Sequence, residues 1–346
     1  MEMIKQIKSL RGLIHNQPDQ TGSLLRQSPH VSADWVSFKP VPNGVNVVGH
    51  ESFGEFTLIS YGGDRGWVRS KYLTTLSPSS STPSFKLTTY NILTGGAPWK
   101  GISQYEAETT GKPYAIWKNR KHLVVEAIRD SEIIMLNETT DTQLLYIQKE
   151  LGISIVSRAL KKGEYDGSAI LVNTDKWKVL DTFQSVIFEK HTQVVVAVHL
   201  QNIESNTSLY LVCLHLKSGY ADMENRRCEE FKKAMRLIFE RFPNSTDSPL
   251  VVAGDLNSDY REEFAVLIKH MLPAKFPMLR NAAADEKGIG VNTPTYNFWH
   301  ESVFDYILIS RHIEVQSMHT QSVGDKAPNK KQGSDHFPVS SVLKIL

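Results

Sequence analysis

Acidic, amide and histidine side chains stand at or beside the ends of several apolar runs in this sequence. Burying such groups costs free energy unless they are paired or bind a metal ion. Carboxylates and amides with few imidazoles and no thiolate favour a hard cation such as Mg²⁺ over Zn²⁺. If the runs are strands whose ends converge on one edge, the pattern predicts a site there. The residues are Asn91, Asn137, Glu138, His215, Asp255, Asn257, Asp305, Asp335 and His336.

Each of these residues also has an ordinary structural explanation when it is taken alone. Gly254-Asp255-Leu256-Asn257 consists largely of turn formers. Glu138 is consistent with a surface acid, His215 with a satisfied core imidazole, and Asp335 with a helix cap. Their order and their common position at strand ends favour the functional interpretation.

Apolar β-prone runs and amphipathic segments alternate after residue 84. Because many of the predicted strands are apolar on both faces, they indicate stacked sheets covered by helices, an α/β fold. Strands are predicted at 85–92, 133–136, 168–172, 193–199, 209–215, 250–253, 303–309 and 339–343. Helices are predicted at 116–130, 140–151, 225–241 and 260–271.

A Ser/Pro-rich stretch, 77–84, divides the chain and predicts an extended linker. The segment before it, 22–76, has short β-prone runs separated by turn formers and predicts a small all-β domain. The segment after it, 85–346, is the larger domain. Strands of the small domain are predicted at 45–48, 56–61 and 66–68.

The first residues, 1–21, have apolar side chains at helical spacing with basic residues between them. Ile4, Ile7, Leu10 and Ile14 form this pattern. It predicts a short helix docked on the first domain, with a targeting segment as the alternative.

Composition excludes several classes of protein. The chain has 346 residues, 40% of them apolar, and 39 Lys+Arg balance 37 Asp+Glu to a net charge of +2. A disordered chain and a generic electrostatic nucleic-acid binder are therefore disfavoured. No apolar run is long enough for a transmembrane segment. The two cysteines, Cys213 and Cys228, do not form a disulfide framework, so a cytoplasmic location is expected, with mitochondrial and nuclear locations left open.

Two motifs in the small domain, "LLRQSP" and "DRGWVRSKYL", resemble a bacterial-type SH3 domain. The resemblance implies a small SH3-like barrel that binds a peptide or polymer. A core role for Trp67 is the simpler interpretation of its position.

Six short motifs in the larger domain resemble the endonuclease/exonuclease/phosphatase superfamily in type and order. They are "TTYNIL", "IIMLNE", "LVCLHLKS", "VVAGDLNS", "VFDYILIS" and "GSDHFPV". The resemblance covers 85–346 and implies a four-layer α/β sandwich, with two central sheets flanked by helices. It also implies a divalent-metal phosphodiester site at the sheet edges.

The same resemblance implies a role for each motif residue. Glu138 is the principal Mg²⁺ ligand, supported by Asn91 and Asp335, and Mn²⁺ is the alternative ion. Asp255 activates the attacking water, and Asn257 holds a phosphate oxygen. The remaining phosphate donors are His215 and His336, the latter positioned by Asp305. The superfamily's usual Gln is replaced by Asn137 here.

Weaker matches at 116–128, 165–180 and 293–307 resemble the branch of nocturnin and the poly(A) deadenylases. They imply single-stranded nucleic acid as substrate, RNA rather than DNA, cut from a 3′ end. A sphingomyelinase- or inositol-phosphatase-like enzyme, a repair-type DNA endonuclease and an inactive adaptor are the alternatives. Exonucleolytic or endonucleolytic action and one or two metals stay open.

Basic and aromatic side chains near the motifs fit an extended polyanion, although ordinary solvated loops explain them equally well. The basic residues are Lys217, Arg226, Arg227, Lys326, Lys330 and Lys331, and the aromatic ones are Trp99, Phe298 and Trp299.

Overall fold

The structure is a computed structural model that divides into two units, residues 1–82 with 242–248, and residues 83–241 with 249–346. It describes residues 5–14, 22–23, 27–29, 41–42, 46–61, 64–75, 82–94, 116–161, 163, 166–189, 192–297, 301–320 and 327–346. Most of the predicted linker lies outside these residues.

The N-terminal unit contains a five-stranded antiparallel sheet in the order β6-β5-β4-β1-β7. Its strands are β1 (Lys5–Ile14), β4 (Asn46–Phe53), β5 (Phe56–Tyr61), β6 (Asp64–Arg69) and β7 (Leu73–Thr75). A separate pair joins β2 (Gly22–Ser23) to β3 (Val41–Pro42), and a 3-10 turn covers Ser70–Tyr72. The three strands predicted in this unit are confirmed by β4, β5 and β6.

The helix predicted within residues 1–21 is wrong, because β1 is a strand. It pairs with β4 on one side and with β7 on the other. Pairing along both edges satisfies backbone groups that a lone helix would satisfy internally, so tertiary context overrides the local spacing.

The first large sheet of the second unit has the order β10-β11-β9-β8-β21-β20. Its strands are β8 (Ser84–Asn91), β9 (Ile133–Thr139), β10 (Ser154–Leu160), β11 (Gly167–Val172), β20 (Ile313–Thr320) and β21 (Val339–Ile345). β8 and β9 are parallel and the other neighbours antiparallel, so the sheet is mixed.

The second large sheet has the order β12-β13-β14-β15-β19-β16. Its strands are β12 (Trp177–Val186), β13 (Val194–Asn202), β14 (Ser208–His215), β15 (Leu250–Asp255), β16 (Leu279–Asn281) and β19 (Asp305–Ser310). β14 and β15 are its parallel pair. A short hairpin joins β17 (Tyr296–Asn297) to β18 (Glu301–Ser302).

The two large sheets share one apolar core. Leu87 and Met135 of the first sheet and Cys213 and Ile307 of the second belong to the same buried cluster. A second cluster covers the other face of the first sheet, where helices pack on it. The predicted α/β fold with stacked sheets and helices is confirmed, and both sheets bring one strand edge to the site described below.

The helices are α1 (Trp117–Ile128), α2 (Asp141–Leu151), α3 (Glu224–Arg241) and a π-helical turn, Leu267–Met271, that continues into α4 (Leu272–Lys275). Short 3-10 turns cover Ala221–Met223, Pro243–Asp247 and Ala282–Ala284. A capping box at Thr140 starts α2, and Gly152 in a left-handed conformation ends it. Among the described residues, none of the helices is long and apolar enough to cross a bilayer.

Three of the four predicted helices are confirmed, but the one at 260–271 starts too early. Residues 260–264 form turns and a bend, and helical residues begin only at Val266, followed by the π-helical turn from Leu267. The Leu267 amide donates instead to the buried carboxylate of Glu224. That tertiary acceptor replaces the one a preceding helical turn would have supplied.

All eight strands predicted in the second unit are present, and the strands of the two large sheets that are absent from the prediction are their edges. β10, β20, β12 and β16 each have a neighbour on one side only. β12 alternates exposed and less exposed positions after its buried first residue, Trp177. An edge strand buries less apolar surface, so its sequence has a weaker apolar pattern than that of a central strand.

Candidate active site

Strand register brings three of the predicted site residues side by side in the second sheet. His215 at the end of β14 pairs with Asp255 at the end of β15, and Asp255 pairs with Asp305 at the start of β19. In the first sheet, Asn91 ends β8 beside β9, which carries Glu138. Both groups meet at one edge of the two sheets.

Asp255 is the residue on which the cluster converges. Its Oδ1 accepts from the Asn257 backbone amide at 2.9 Å, and its Oδ2 accepts from Asn91 Nδ2 at 3.0 Å. The Nε2 atoms of His215 and His336 lie 3.6 and 3.7 Å from the same Oδ2. Burial raises the pKa of Asp255 to about 7, against the opposing attraction of His336. A carboxylate with this pKa can accept a proton near neutral pH.

Asp305 and His336 form a buried ion pair. His336 Nδ1 donates to Asp305 Oδ2 at 2.7 Å. Burial alone lowers the pKa of His336, but the carboxylates of Asp305 and Asp255 overcome that effect and raise it to about 10. The imidazole is therefore a cation at neutral pH, and its Nε2–H is a donor suited to a phosphate oxygen. The Tyr296 ring lies edge-on to it, with centroids 4.9 Å apart.

His215 has the opposite electrostatic character. Burial, followed by the positive charges of Lys161, His336 and Lys217, lowers its pKa well below the usual value. It is a neutral imidazole at neutral pH. Its Nδ1 and Asp305 Oδ1 are buried without a hydrogen-bond partner in the part of the chain that the structure describes. Both atoms are available to a bound group.

Backbone strain is concentrated at the site. Among the described non-glycine residues, four have positive φ, and three of them adjoin or belong to the cluster: Leu93 (59°), Glu138 (52°) and Asn257 (53°). Such conformations cost about 1–3 kcal/mol each and persist where the surroundings enforce them.

Two buried side chains hold the loop that follows β8. The Arg120 guanidinium of α1 donates to the carbonyls of Ile92 and Leu93, and to Gly333 O at 2.7 Å. Gln143 Nε2 of α2 donates to Leu93 O at 3.1 Å. The strained Leu93 is therefore fixed by both helices, and Arg120 also ties this loop to the one that carries Asp335 and His336.

Arg120 is a residue of the site region that none of the six short motifs contains. Burial lowers its pKa to about 10, so it remains a cation, with the charges of Asp335 and Glu138 among its neighbours. A signal was present, because its spacing from Trp117 and Val124 places it on the face of α1 that packs inward.

The other predicted site residues lie in the same region. Asp335 is 2% exposed, and Ser334 Oγ lies 3.4 Å from its Oδ1. Asn257 Nδ2 donates to Leu216 O at 3.1 Å. The structure thus brings all eight predicted catalytic and metal-binding residues to one edge of the sheets.

The charges at the site fit a bound divalent cation. The site contains four carboxylates and two buried cations. The carboxylates are Glu138, Asp255, Asp305 and Asp335, and the cations are Arg120 and His336. A single amide nitrogen, Asn91 Nδ2, bridges Glu138 Oε1 at 3.1 Å and Asp255 Oδ2 at 3.0 Å. Two carboxylates linked through one amide suit a hard ion, which prefers oxygen ligands.

A second group is also close enough to share an ion. Ligand atoms of Asp255, Asp305 and His336 all lie within 4.8 Å of one another. His336 Nδ1 is already engaged by Asp305 at 2.7 Å, so its Nε2 is the nitrogen that faces Asp255. Asp255 is common to both groups, whereas Glu138 belongs only to the first.

The two predicted basic residues of α3 have structural partners. Arg227 is buried, and its Nε donates to Lys217 O at 2.8 Å. Arg226 Nε donates to the buried Glu230 at 2.9 Å. Arg227 therefore supports the loop after His215 and does not track phosphates. Trp99, Phe298, Trp299 and Lys326 lie outside the described residues.

Comparisons with known proteins agree with this geometry. Residues 88–336 match the model of the Endonuclease/Exonuclease/phosphatase family. Protein angel of Drosophila melanogaster is 24% identical over 310 residues, which cover 76% of this chain and 81% of that protein.

Solved structures share the fold. The human Nocturnin catalytic domain with bound sulfate aligns with a TM-score of 0.58 at 22% identity, covering 76% of this chain and 94% of that one. ANGEL2, described as a 2′,3′-cyclic phosphatase, aligns in its complex with adenosine-2′,3′-vanadate with a TM-score of 0.61 at 15% identity, covering 76% and 96%. Enzymes of the matched family are generally dependent on a divalent metal. This chain therefore belongs to the Endonuclease/Exonuclease/phosphatase family and is a hydrolase of phosphoester bonds.

Proposed function

We propose that the protein is a Mg²⁺-dependent phosphodiesterase that acts on the 3′ end of single-stranded RNA. The observation that carries the proposal is the convergence of an amide, two imidazoles and a backbone amide on the Asp255 carboxylate. Such a cluster can activate water and hold a phosphate within one small volume.

The protein groups divide the chemistry between them. Asp255 orients the attacking water and takes its proton, consistent with its pKa of about 7. The cationic His336, held by Asp305, donates to a phosphate oxygen as negative charge builds up. His215 is a neutral donor on the other side of Asp255. Asn257, by its amide, holds a phosphate oxygen without adding negative charge.

Glu138, Asn91 and Asp335 would hold the metal ion, with Mn²⁺ as the alternative to Mg²⁺. Bound there, the ion supplies Lewis-acid stabilisation of the transferring phosphoryl group. The four carboxylates of the site support this assignment, because two buried cations leave a surplus of negative charge.

Likeness to Nocturnin and to the angel proteins supports RNA over lipid or inositol substrates. A second candidate, hydrolysis of 2′,3′-cyclic phosphates at RNA ends, is favoured by the fold shared with ANGEL2, whose structure holds adenosine-2′,3′-vanadate. Lys217 and the aromatic residues of the sequence motifs support binding of a nucleotide chain.

A substrate panel tests the proposal. Oligo(A), oligo(U), oligo(A) ending in a 2′,3′-cyclic phosphate, duplex DNA, sphingomyelin and an inositol phosphate are incubated with Mg²⁺ or with EDTA. We expect stepwise shortening of oligo(A) that EDTA abolishes, with partial discrimination against oligo(U). Opening of the cyclic phosphate without shortening supports the second candidate. Preferential turnover of the lipid, the inositol ester or internal sites in DNA contradicts both.

The N-terminal sheet is proposed to be an SH3-like module that binds a peptide or polymer. Its five antiparallel strands and the "DRGWVRSKYL" motif support this assignment. Titration of tryptophan fluorescence with proline-rich peptides and with cell-wall fragments tests it, and no change with either class contradicts it.

A further inference from the structure

Asn137 is a fully buried amide that joins the two sheets behind the active site. It lies in β9 of the first sheet, directly before Glu138. Its Oδ1 accepts from the Asp255 backbone amide of β15, in the second sheet, at 2.9 Å. Its Nδ2 donates to Ser168 Oγ at 2.9 Å and lies 3.5 Å from Cys213 Sγ. All three partners are buried.

The backbone around Asp255 is shaped to meet this amide. Gly254 has a φ of 136°, which favours glycine. A Cβ at Gly254 would lie 2.0 Å from Leu214 O and 2.8 Å from Asn137 Oδ1. The Asn137 side chain therefore packs directly against the residue before Asp255.

The asymmetry of the Asn137 contacts matters for chemistry. One end of the amide contacts the backbone of the residue on which the cluster converges. The other end contacts Ser168 and Cys213, which touch none of the other predicted site residues in the hydrogen bonds described above. Removal of the first contact changes where the Asp255 carboxylate lies, whereas removal of the second changes packing alone.

We propose that Asn137 is a positioning residue that fixes the Asp255 carboxylate of one sheet relative to Glu138 of the other. The proposal rests on the proposed function in that Asp255 is the proton acceptor and Glu138 a ligand of the metal ion. A displacement of about 1 Å in such a pair can lower the rate about a hundredfold.

The test compares Asn137→Leu with Ser168→Ala and Cys213→Ala in the full chain. We expect Asn137→Leu to lower kcat on oligo(A) by about a hundredfold with KM and the Mg²⁺ affinity, measured by calorimetry, changed less than threefold. We expect Ser168→Ala and Cys213→Ala to keep kcat within about threefold, even though each, like Asn137→Leu, lowers the thermal stability. Equal kcat in Asn137→Leu and wild type, or an equal loss in the controls, overturns the proposal.

A second variant controls for misfolding of Asn137→Leu, and a second measurement tests the proposal without a substrate. Asn137→Gln keeps the C=O acceptor and the NH₂ donor of the side-chain amide, and we expect it to keep at least about a tenth of the wild-type kcat. A loss as large as that of Asn137→Leu contradicts the role of the amide. Hydrogen exchange at the Asp255 amide should accelerate at least tenfold in Asn137→Leu and remain slow in Ser168→Ala. An unchanged exchange rate at the Asp255 amide overturns the positioning role, and this readout needs no substrate. If none of the phosphoesters tested is hydrolysed, only the proposed function is overturned.

Discussion

The two large sheets fix their halves of the active site in different ways. In the second sheet, His215, Asp255 and Asp305 are neighbours by strand register. In the first, Glu138 has a strained backbone, and the loop after Asn91 depends on hydrogen bonds from the helices. Register is set by many ladder bonds together, whereas a loop depends on a few side chains. The first half is therefore the one that single substitutions should displace.

The largest expected effect is the loss of either central carboxylate. Asp255→Asn and Glu138→Gln should each lower kcat at least about a thousandfold, because proton transfer or metal binding is lost. The half-saturating Mg²⁺ concentration should rise only in Glu138→Gln. That difference distinguishes the metal-binding role of Glu138 in the first sheet from the proton-accepting role of Asp255 in the second. Circular dichroism checks that both variants fold. Substantial turnover in either variant contradicts its assignment.

The buried ion pair of Asp305 and His336 should show a smaller effect, which the two residues share. Asp305→Asn and His336→Gln should each lower kcat by about a hundredfold, since the cationic donor needs its carboxylate. The double variant should be little worse than either single one, because both remove the same unit. Additive losses would mean that Asp305 and His336 act independently. Steady-state kinetics of the four proteins measures this coupling.

Two buried arginines offer a direct comparison of the halves. Arg120→Met leaves the carbonyls of Ile92, Leu93 and Gly333 without their donor, and Arg227→Met does the same for Lys217 and Gly219. Each should destabilise the fold by about 3 kcal/mol in urea unfolding. At a temperature where both are folded, only Arg120→Met should lower kcat, by about tenfold. Equal kcat values in the two variants contradict the idea that the first half of the site depends on loop contacts and the second on strand register.

The second sheet also contains an acid-sensitive residue away from the site. Burial lowers the pKa of His199 to about 4, with Asp181 opposing. Its ring stacks on Tyr210 with centroids 4.2 Å apart, and its Nε2 lies 3.2 Å from Ser208 Oγ. The unfolded imidazole takes a proton near pH 6.5, so stability should fall as pH drops from about 6.5 to 4, by roughly 1–2 kcal/mol.

Urea unfolding across this pH range measures the His199 contribution. His199→Phe keeps an aromatic ring and removes the titration, so its stability should change less over the same window. An identical pH dependence in wild type and variant would assign the effect to other groups.

The smallest effect is expected from removal of residues 1–82, which supply none of the predicted site residues. A chain that begins at Pro83 should keep kcat on a short oligonucleotide within about threefold, because both halves of the site lie in the second unit. Initial rates measure it, with thermal unfolding as the control for folding. A folded but inactive fragment would show that the N-terminal unit takes part in catalysis.

The sequence by itself determined the central strands and the residues at their ends. Strands such as β14 and β15 are apolar on both faces, and a charged or amide residue at the end of such a run stands out. The same property explains why the predicted motifs lie together, since the ends of adjacent strands share one edge.

Tertiary structure decided what local patterns do not encode. β1 became a strand because two neighbouring strands accept its backbone, and the edge strands bury too little apolar surface to stand out. Arg120 and Asn137 owe their importance to partners that are distant in sequence, such as Gly333 and Asp255. A buried hydrogen bond depends on which groups the folded chain brings within reach, and that depends on how the sheets and helices pack.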